Sequence, residues 1–181
     1  EFCVNEVNRL NHLVDELLLL ARFENQRQNI KLEKVNLNSL ITDVISRNAQ
    51  AIKEQKVNCQ TDFSEEVTVQ TDNYLFSIIV TNLLTNAIKY SNKGSNIIVK
   101  LYHSHGKAQC DIIDFGIGIP KEDINMIFNQ FYRSNSTNHP EIKGTGLGLS
   151  IVKRLCDLLE IDVKLESEEN VGTKATISFT K

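Results

Sequence analysis

The chain has no tryptophan, one methionine, two prolines and no apolar run longer than residues 17–21. A membrane-crossing helix needs about 20 consecutive apolar residues, so none is expected here. The first residues also lack the pattern of a secretory signal. With so little proline and only eight glycines, collagen-like and low-complexity classes are excluded. Basic charge is scarce too. Twenty Lys and Arg against 23 Asp and Glu leave a formal charge of -3, without the concentrated positive surface that nucleic acid or anionic lipid demands. Nucleic acid is therefore not an expected partner. The four cysteines, Cys3, Cys59, Cys110 and Cys156, show none of the short spacings of a zinc knuckle or a redox pair. Free thiols in a reducing, cytoplasmic setting are the expectation.

What is present suffices for a real core: 181 residues, 41% of them hydrophobic and 24% charged, fit one domain with an appendage. The chain begins without methionine and in a helical pattern, which predicts a piece of a longer protein whose membrane anchorage is open. From Cys3 the apolar positions Val7, Leu10, Val14, Leu17 and Ala21 follow at alternating steps of four and three, the seam of a helix packed on other helices. Leu13, Leu18 and Leu20 widen the stripe, as in a four-helix bundle made by dimerisation. The polar stretch 24–31 loses this pattern and predicts a linker, so residues 1–28 divide from a second unit over 29–181.

In that second unit, residues 35–37 predict a short strand. One amphipathic helix follows behind an Asn38 cap, with Leu40, Ile41, Val44, Ile45, Ala49 and Ile52 at helical spacing. Strands are expected over 56–63 and 67–71, a helix over 73–91, and a hairpin over 96–104 and 107–115. A helix over 147–159 and a closing hairpin, 161–168 with 173–180, complete the pattern. Hairpins mixed with helices that must share one covered face predict an α+β fold, a two-layer α/β sandwich with a mixed sheet, preceded by one long bundle helix.

Three constellations carry chemistry. Asn82 and Asn86 fall on the same helix side as Leu75 and Ile79. A buried amide without partners costs roughly 1–3 kcal/mol, so this pair implies either an internal hydrogen-bond network or an external ligand. Asp114 leaves a strand just before Gly116 and Gly118, where backbone can approach a flat ligand and the acceptor-only carboxylate suits an amine such as that of adenine. Guanine, with a carbonyl there, would be repelled. Gly144, Gly146 and Gly148 run straight into the apolar helix Ile151, Val152, Leu155 and Leu158. Such a loop exposes N–H groups and the positive end of a helix dipole to phosphate. It lacks the Lys-Ser/Thr of a Walker loop and the preceding strand of a dinucleotide fingerprint. Residues 133–143 are polar and aperiodic, as in a lid.

These motifs together resemble the histidine kinase family. The run 82–90, NLLTNAIKY, is similar to its N box, 114–120 to its G1 box, 128–131 to its F box and 144–149 to its G2 box, with Gly172-Thr173 in the place of a terminal Gly-Thr. The resemblance implies a Bergerat-type ATP fold with ATP and Mg²⁺ as cofactors. It places Asn86 and Asn82 on the metal, Lys89 and Tyr90 near phosphates, and Asp114 on adenine. Gly116, Gly118, Ile119, Phe131, Lys143 and Thr173 join the nucleotide site, and Gly144, Thr145, Gly146, Leu147, Gly148 and Leu149 cradle phosphate. In the hydrolytic branches of the superfamily, a Glu four residues before the metal-binding Asn activates water. Here that place is Asn82, and an amide is no general base. Transfer to a supplied nucleophile needs positioning and charge neutralisation more than such a base.

The leading segment, with 9–15 (RLNHLVD) and 17–22 (LLLLAR), resembles the second helix of the family's dimerisation domain. The acceptor histidine lies on the first such helix, followed by an acidic residue, and none of His12, His103, His105 and His139 has that context. The expectation is an ATP-dependent protein-histidine kinase, homodimeric when intact, with a response regulator receiver as partner. The rival is a non-catalytic nucleotide-binding module of the same fold.

Overall fold

The computed structural model describes residues 30–134 and 144–180, together with Val14 and Leu18. The expected leading helix otherwise lies outside the described residues; Val14 and Leu18 are helical and exposed.

The chain enters through β1 (Glu33–Asn36), which pairs antiparallel with β3 (Thr68–Thr71) as a separate two-stranded sheet. Helix α1 (Leu37–Arg47) starts at once, because the Asn36 side chain accepts from Ser39 N at 3.0 Å. The cap is thus Asn36, not Asn38. Asn38 stands in the first turn, where it accepts from Val67 N at 2.8 Å and donates to Glu65 O at 2.9 Å. The expected single helix is also two. Asn48 leaves helical geometry and turns its amide onto Val44 O at 2.8 Å, the local competition that makes Asn a poor helix-interior residue. After that break α2 (Ala49–Gln55) buries no residue fully.

The main sheet has the order β2-β4-β5-β7-β6, formed by β2 (Asn58–Phe63), β4 (Asn96–Ser104), β5 (Lys107–Asp114), β7 (Gly172–Phe179) and β6 (Ile161–Glu168). It is mixed: β2 runs parallel to β4 and every other pair is antiparallel. The parallel pair needs a crossover, which β3 and α3 (Asn73–Tyr90) supply. Asp72 caps α3, one carboxylate oxygen accepting from Leu75 N at 3.0 Å and the other from Lys31 N at 2.9 Å.

Alternation along the strands decides which face is covered. Ile97, Val99 and Leu101 of β4, Cys110 and Ile112 of β5 and Ala175, Ile177 and Phe179 of β7 are buried beneath α1, α3 and α4 (Gly148–Leu159). From above come Ile41, Phe76, Ile79, Leu84, Ile151 and Leu155. The Phe76 and Phe179 rings meet at 5.2 Å and 50°, a tilted pair worth about 0.5–1.5 kcal/mol beyond its buried area. On the opposite, polar face the buried Asp111 carboxylate accepts from Tyr102 Oη at 3.1 Å and Thr176 Oγ1 at 2.8 Å and pairs with Lys174 at 2.9 Å. The two layers are those the sequence predicts.

Candidate functional site

One cavity of about 310 Å³ lies between the C-terminal half of α3, the inner ends of β5, β6 and β7, and the glycine-rich approach to α4. The buried apolar stripe of α3 runs its whole length, from Leu75 and Phe76 to Ala87 and Ile88. Beside it Asn82, Thr85, Asn86, Lys89 and Tyr90 turn their side of the helix to the cavity. Asn82 donates its amide to Ile78 O at 3.0 Å, which leaves its Oδ1 facing α4, 2.9 Å from where a Cβ on Gly148 would stand. Among the described residues no side-chain hydrogen bond satisfies Asn86. Of the two explanations for paired amides, an internal network therefore accounts for Asn82 in part and for Asn86 not at all. Lys89 Nζ reaches the glycine loop, 3.2 Å from the Cβ position of Gly144, and lies 5.9 Å from the Tyr90 ring centroid.

Asp114 ends β5 on the covered face, two residues after Ile112, and is 7% exposed. Burial pushes its carboxyl up to about 6, against the lowering effect of backbone bonds from Gly116 and Thr173. Gly116 lets the chain past this point meet the end of α3. A Cβ there would be 2.1 Å from Tyr90 O, and the next N–H, of Ile117, donates to that carbonyl at 3.1 Å. The contact holds Asp114 and the Lys89-Tyr90 end of α3 in one site. Burial raises the Tyr90 phenol as well, while the Arg133 guanidinium pulls it down. Gly146 sits at φ +76, against Phe131, whose N–H donates to Gly146 O at 2.9 Å.

Thirteen of the residues singled out from sequence line this cavity: Asn82, Asn86, Lys89, Tyr90, Asp114, Gly118, Ile119, Gly144, Thr145, Gly146, Gly148, Leu149 and Thr173. Gly116, Leu147 and Phe131 do not. Gly116 and Leu147 are buried behind the wall, and Phe131 turns its ring outward, 58% exposed, serving through its backbone contact with Gly146. Lys143 lies outside the described residues. Sequence reasoning missed the apolar floor of Ile112, Leu165 and Ala175 and the wall of Ile127, Tyr132, Arg133 and Ser134. The floor had a signal, since Ile112 shares the strand face of Asp114 and Ala175 that of Thr173. The wall belongs to an irregular segment without periodicity.

Residues 71–181 match the family described as histidine kinase-, DNA gyrase B- and HSP90-like ATPase. The sensor protein RprX of Bacteroides fragilis is 34% identical over 180 residues, covering 97% of this chain and 34% of that protein. The chain thus spans about a third of that relative's length. Among solved structures, Acinetobacter baumannii histidine kinase AdeS aligns with a TM-score of 0.80 at 24% identity, over 97% of this chain and 80% of that one. Histidine kinase ThkA, in complex with response regulator protein TrrA, aligns with a TM-score of 0.77 at 22% identity, over 97% of this chain and 48% of that one. An acceptor carboxylate, two inward amides and a glycine-rich helix start on this fold agree with the family match, and the chain belongs to the histidine kinase-, DNA gyrase B- and HSP90-like ATPases as the ATP-binding catalytic domain of a two-component sensor histidine kinase.

Proposed function

We propose that this chain transfers the γ-phosphoryl group of Mg²⁺-bound ATP to a histidine on a dimerisation helix outside it, within a homodimeric sensor. The observation that carries the reading is that Asn82, Asn86 and Lys89 face the glycine-rich start of α4 across one cavity that also holds Asp114. Among the described residues no three His, Cys, Asp or Glu side chains cluster as a metal site, so a cation here draws its ligands from elsewhere. Mg²⁺ fits that condition, since it takes one or two protein oxygens and completes its shell with water and substrate phosphates. The amide oxygens of Asn86 and Asn82 would hold it, and bound there it supplies charge neutralisation and a fixed phosphate geometry.

Within this reading each residue has one task. Asp114 accepts from the adenine amine, and its pKa of about 6 leaves it ionised at neutral pH. Lys89 and the N–H groups at the start of α4 bind phosphate oxygens. Asn82 stands where a base for water would be needed, its amide nitrogen already committed to Ile78 O, so the site favours transfer over hydrolysis. The leading residues supply the second dimerisation helix, supported by the RprX match extending over 97% of the chain. A response regulator is the downstream partner, supported by ThkA having been crystallised with TrrA.

The test mixes the chain with labelled ATP and a separate first-helix polypeptide bearing the acceptor histidine. Acid-labile, base-stable label on that polypeptide is expected. Tight ATP binding with no label on it would make the chain a non-catalytic nucleotide module.

A further inference from the structure

Residues 121–134 contain no helix or strand, yet they contribute Ile127, Tyr132, Arg133 and Ser134 to the cavity wall. A wall without a ladder of backbone bonds opens at low free energy unless side chains pin it. Asp123 does so. Tyr132 Oη donates to Asp123 Oδ1 at 2.7 Å, and Ser134 Oγ donates to Asp123 Oδ2. One carboxylate thus takes the hydroxyls of the residues on either side of Arg133. Hydroxyl-to-carboxylate bonds are roughly twice as strong as neutral ones.

The backbone of Asp123 is held as firmly. Its N–H donates to Pro120 O at 3.0 Å, and its carbonyl accepts from Met126 N at 2.8 Å and Ile127 N at 3.1 Å. Through Pro120 the clasp is tied to the Gly118-Ile119 side of the cavity, and through Phe131 N–H on Gly146 O to the glycine loop. Asp123 itself is not in the cavity wall; its carboxylate is joined to that wall through the hydroxyls of Tyr132 and Ser134. Arg133 is in the wall, close enough to Tyr90, the neighbour of Lys89 in sequence, to lower its pKa.

We propose that Asp123 is a positioning residue of the nucleotide site, clasping Tyr132 and Ser134 so that Arg133 is presented to the phosphates of ATP. The proposal rests on the ATP-transfer reading above. It assigns to a residue outside the pocket the task of fixing a cation inside it, in a segment where no regular structure can do so.

The experiment is calorimetric titration of the 181-residue chain with Mg·ATP and, separately, with adenosine. Failure of the unsubstituted chain to bind either ligand would remove the nucleotide reading itself. Given binding, Asp123→Ala is expected to weaken ATP roughly tenfold, the loss of a charge-assisted contact, and adenosine by less than about twofold. Tyr132→Phe and Ser134→Ala, which keep the carboxylate and disturb the fold least, each reproduce part of that selective loss. In an Arg133→Ala background Asp123→Ala should cost nothing further, since both act through the same contact. Equal losses for ATP and adenosine, unchanged ATP affinity in all three variants, or full additivity with Arg133→Ala would each overturn the proposal. Should Asp123→Ala not fold, the Tyr132→Phe/Ser134→Ala double variant decides by the same comparison.

Discussion

At the scale of single residues, Asp114 carries the most information, because its environment gives it a measurable signature. Its ordinary value of 3.8 rises to about 6 in the folded chain. A carboxylate raised on folding costs stability wherever it is ionised in both states. That cost is fully present above about pH 6 and disappears as pH falls through about 4, amounting to at most about 3 kcal/mol. The nucleotide-free chain should therefore gain from this group on acidification from pH 7 to 5. Adenosine affinity should move the other way, falling below about pH 6 as the acceptor is protonated. Asp114→Asn should bind adenosine about tenfold to a hundredfold more weakly at pH 7.5, with a flat pH profile and no loss of melting temperature. A pH-dependent affinity surviving in that variant would assign the titration to another group. Asn86→Ala, losing an amide with no side-chain bond of its own, should lower Mg·ATP affinity by about tenfold and leave adenosine nearly untouched. Calorimetry showing equal losses would return Asn86 to core packing.

Elements show where sequence was legible and where it stopped. The strands of both hairpins and the long helix α3 were readable because period-two and period-3.6 burial repeats over 8 to 18 residues leave little choice of register. The start of α1 was misplaced from Asn36 to Asn38 because both are good capping residues. What decides between them is the β1–β3 pairing, which runs as far as Asn36 opposite Thr68, a long-range fact. Asn48 hid the break between α1 and α2 for the same kind of reason: apolar spacing continues through it while its side chain competes for Val44 O. The site was legible wherever a motif sits on an element, as at Asn82, Asn86, Asp114 and the glycine loop. Tyr132 to Ser134 escaped because their order comes from Asp123, eleven residues or fewer away with no period between. Asp72 offers a test of this scale. Asp72→Ala removes both the α3 cap and the bond from Lys31 N–H, and should lower unfolding free energy in urea by roughly 1–3 kcal/mol. It stands about 20 Å along the helix from Asn86, so nucleotide affinity should hold.

For the molecule as a whole, the β4–β5 hairpin sets a geometric limit. Asp114 pairs with Ile97 at one end, while His103 pairs with Ala108 at the other, about 20 Å away at the rise of a strand. His103 is further engaged by Glu65 at 2.8 Å. Neither His103 nor the turn residue His105 can meet a phosphoryl group in its own cavity, so the chain should not label itself on either histidine with labelled ATP. Stoichiometric phosphohistidine mapped to one of them would require a different acceptor. Steady ADP release should be slow as well, for want of a base at position 82. The parallel edge of the sheet has a consequence of another kind. β2 joins β4 at the end of a long crossover, is nowhere fully buried, and is the least secured strand of the five. Cys59 sits on it, half-buried, whereas Cys110 and Cys156 lie in the core with thiols pushed up to about 12. Among the described residues a thiol reagent thus meets three cysteines at two depths. Modification of Cys59, read at that site, would time the peeling of one edge strand, and modification of Cys110 and Cys156 would time the loss of the whole fold, so these three thiols together form a two-speed reporter of opening.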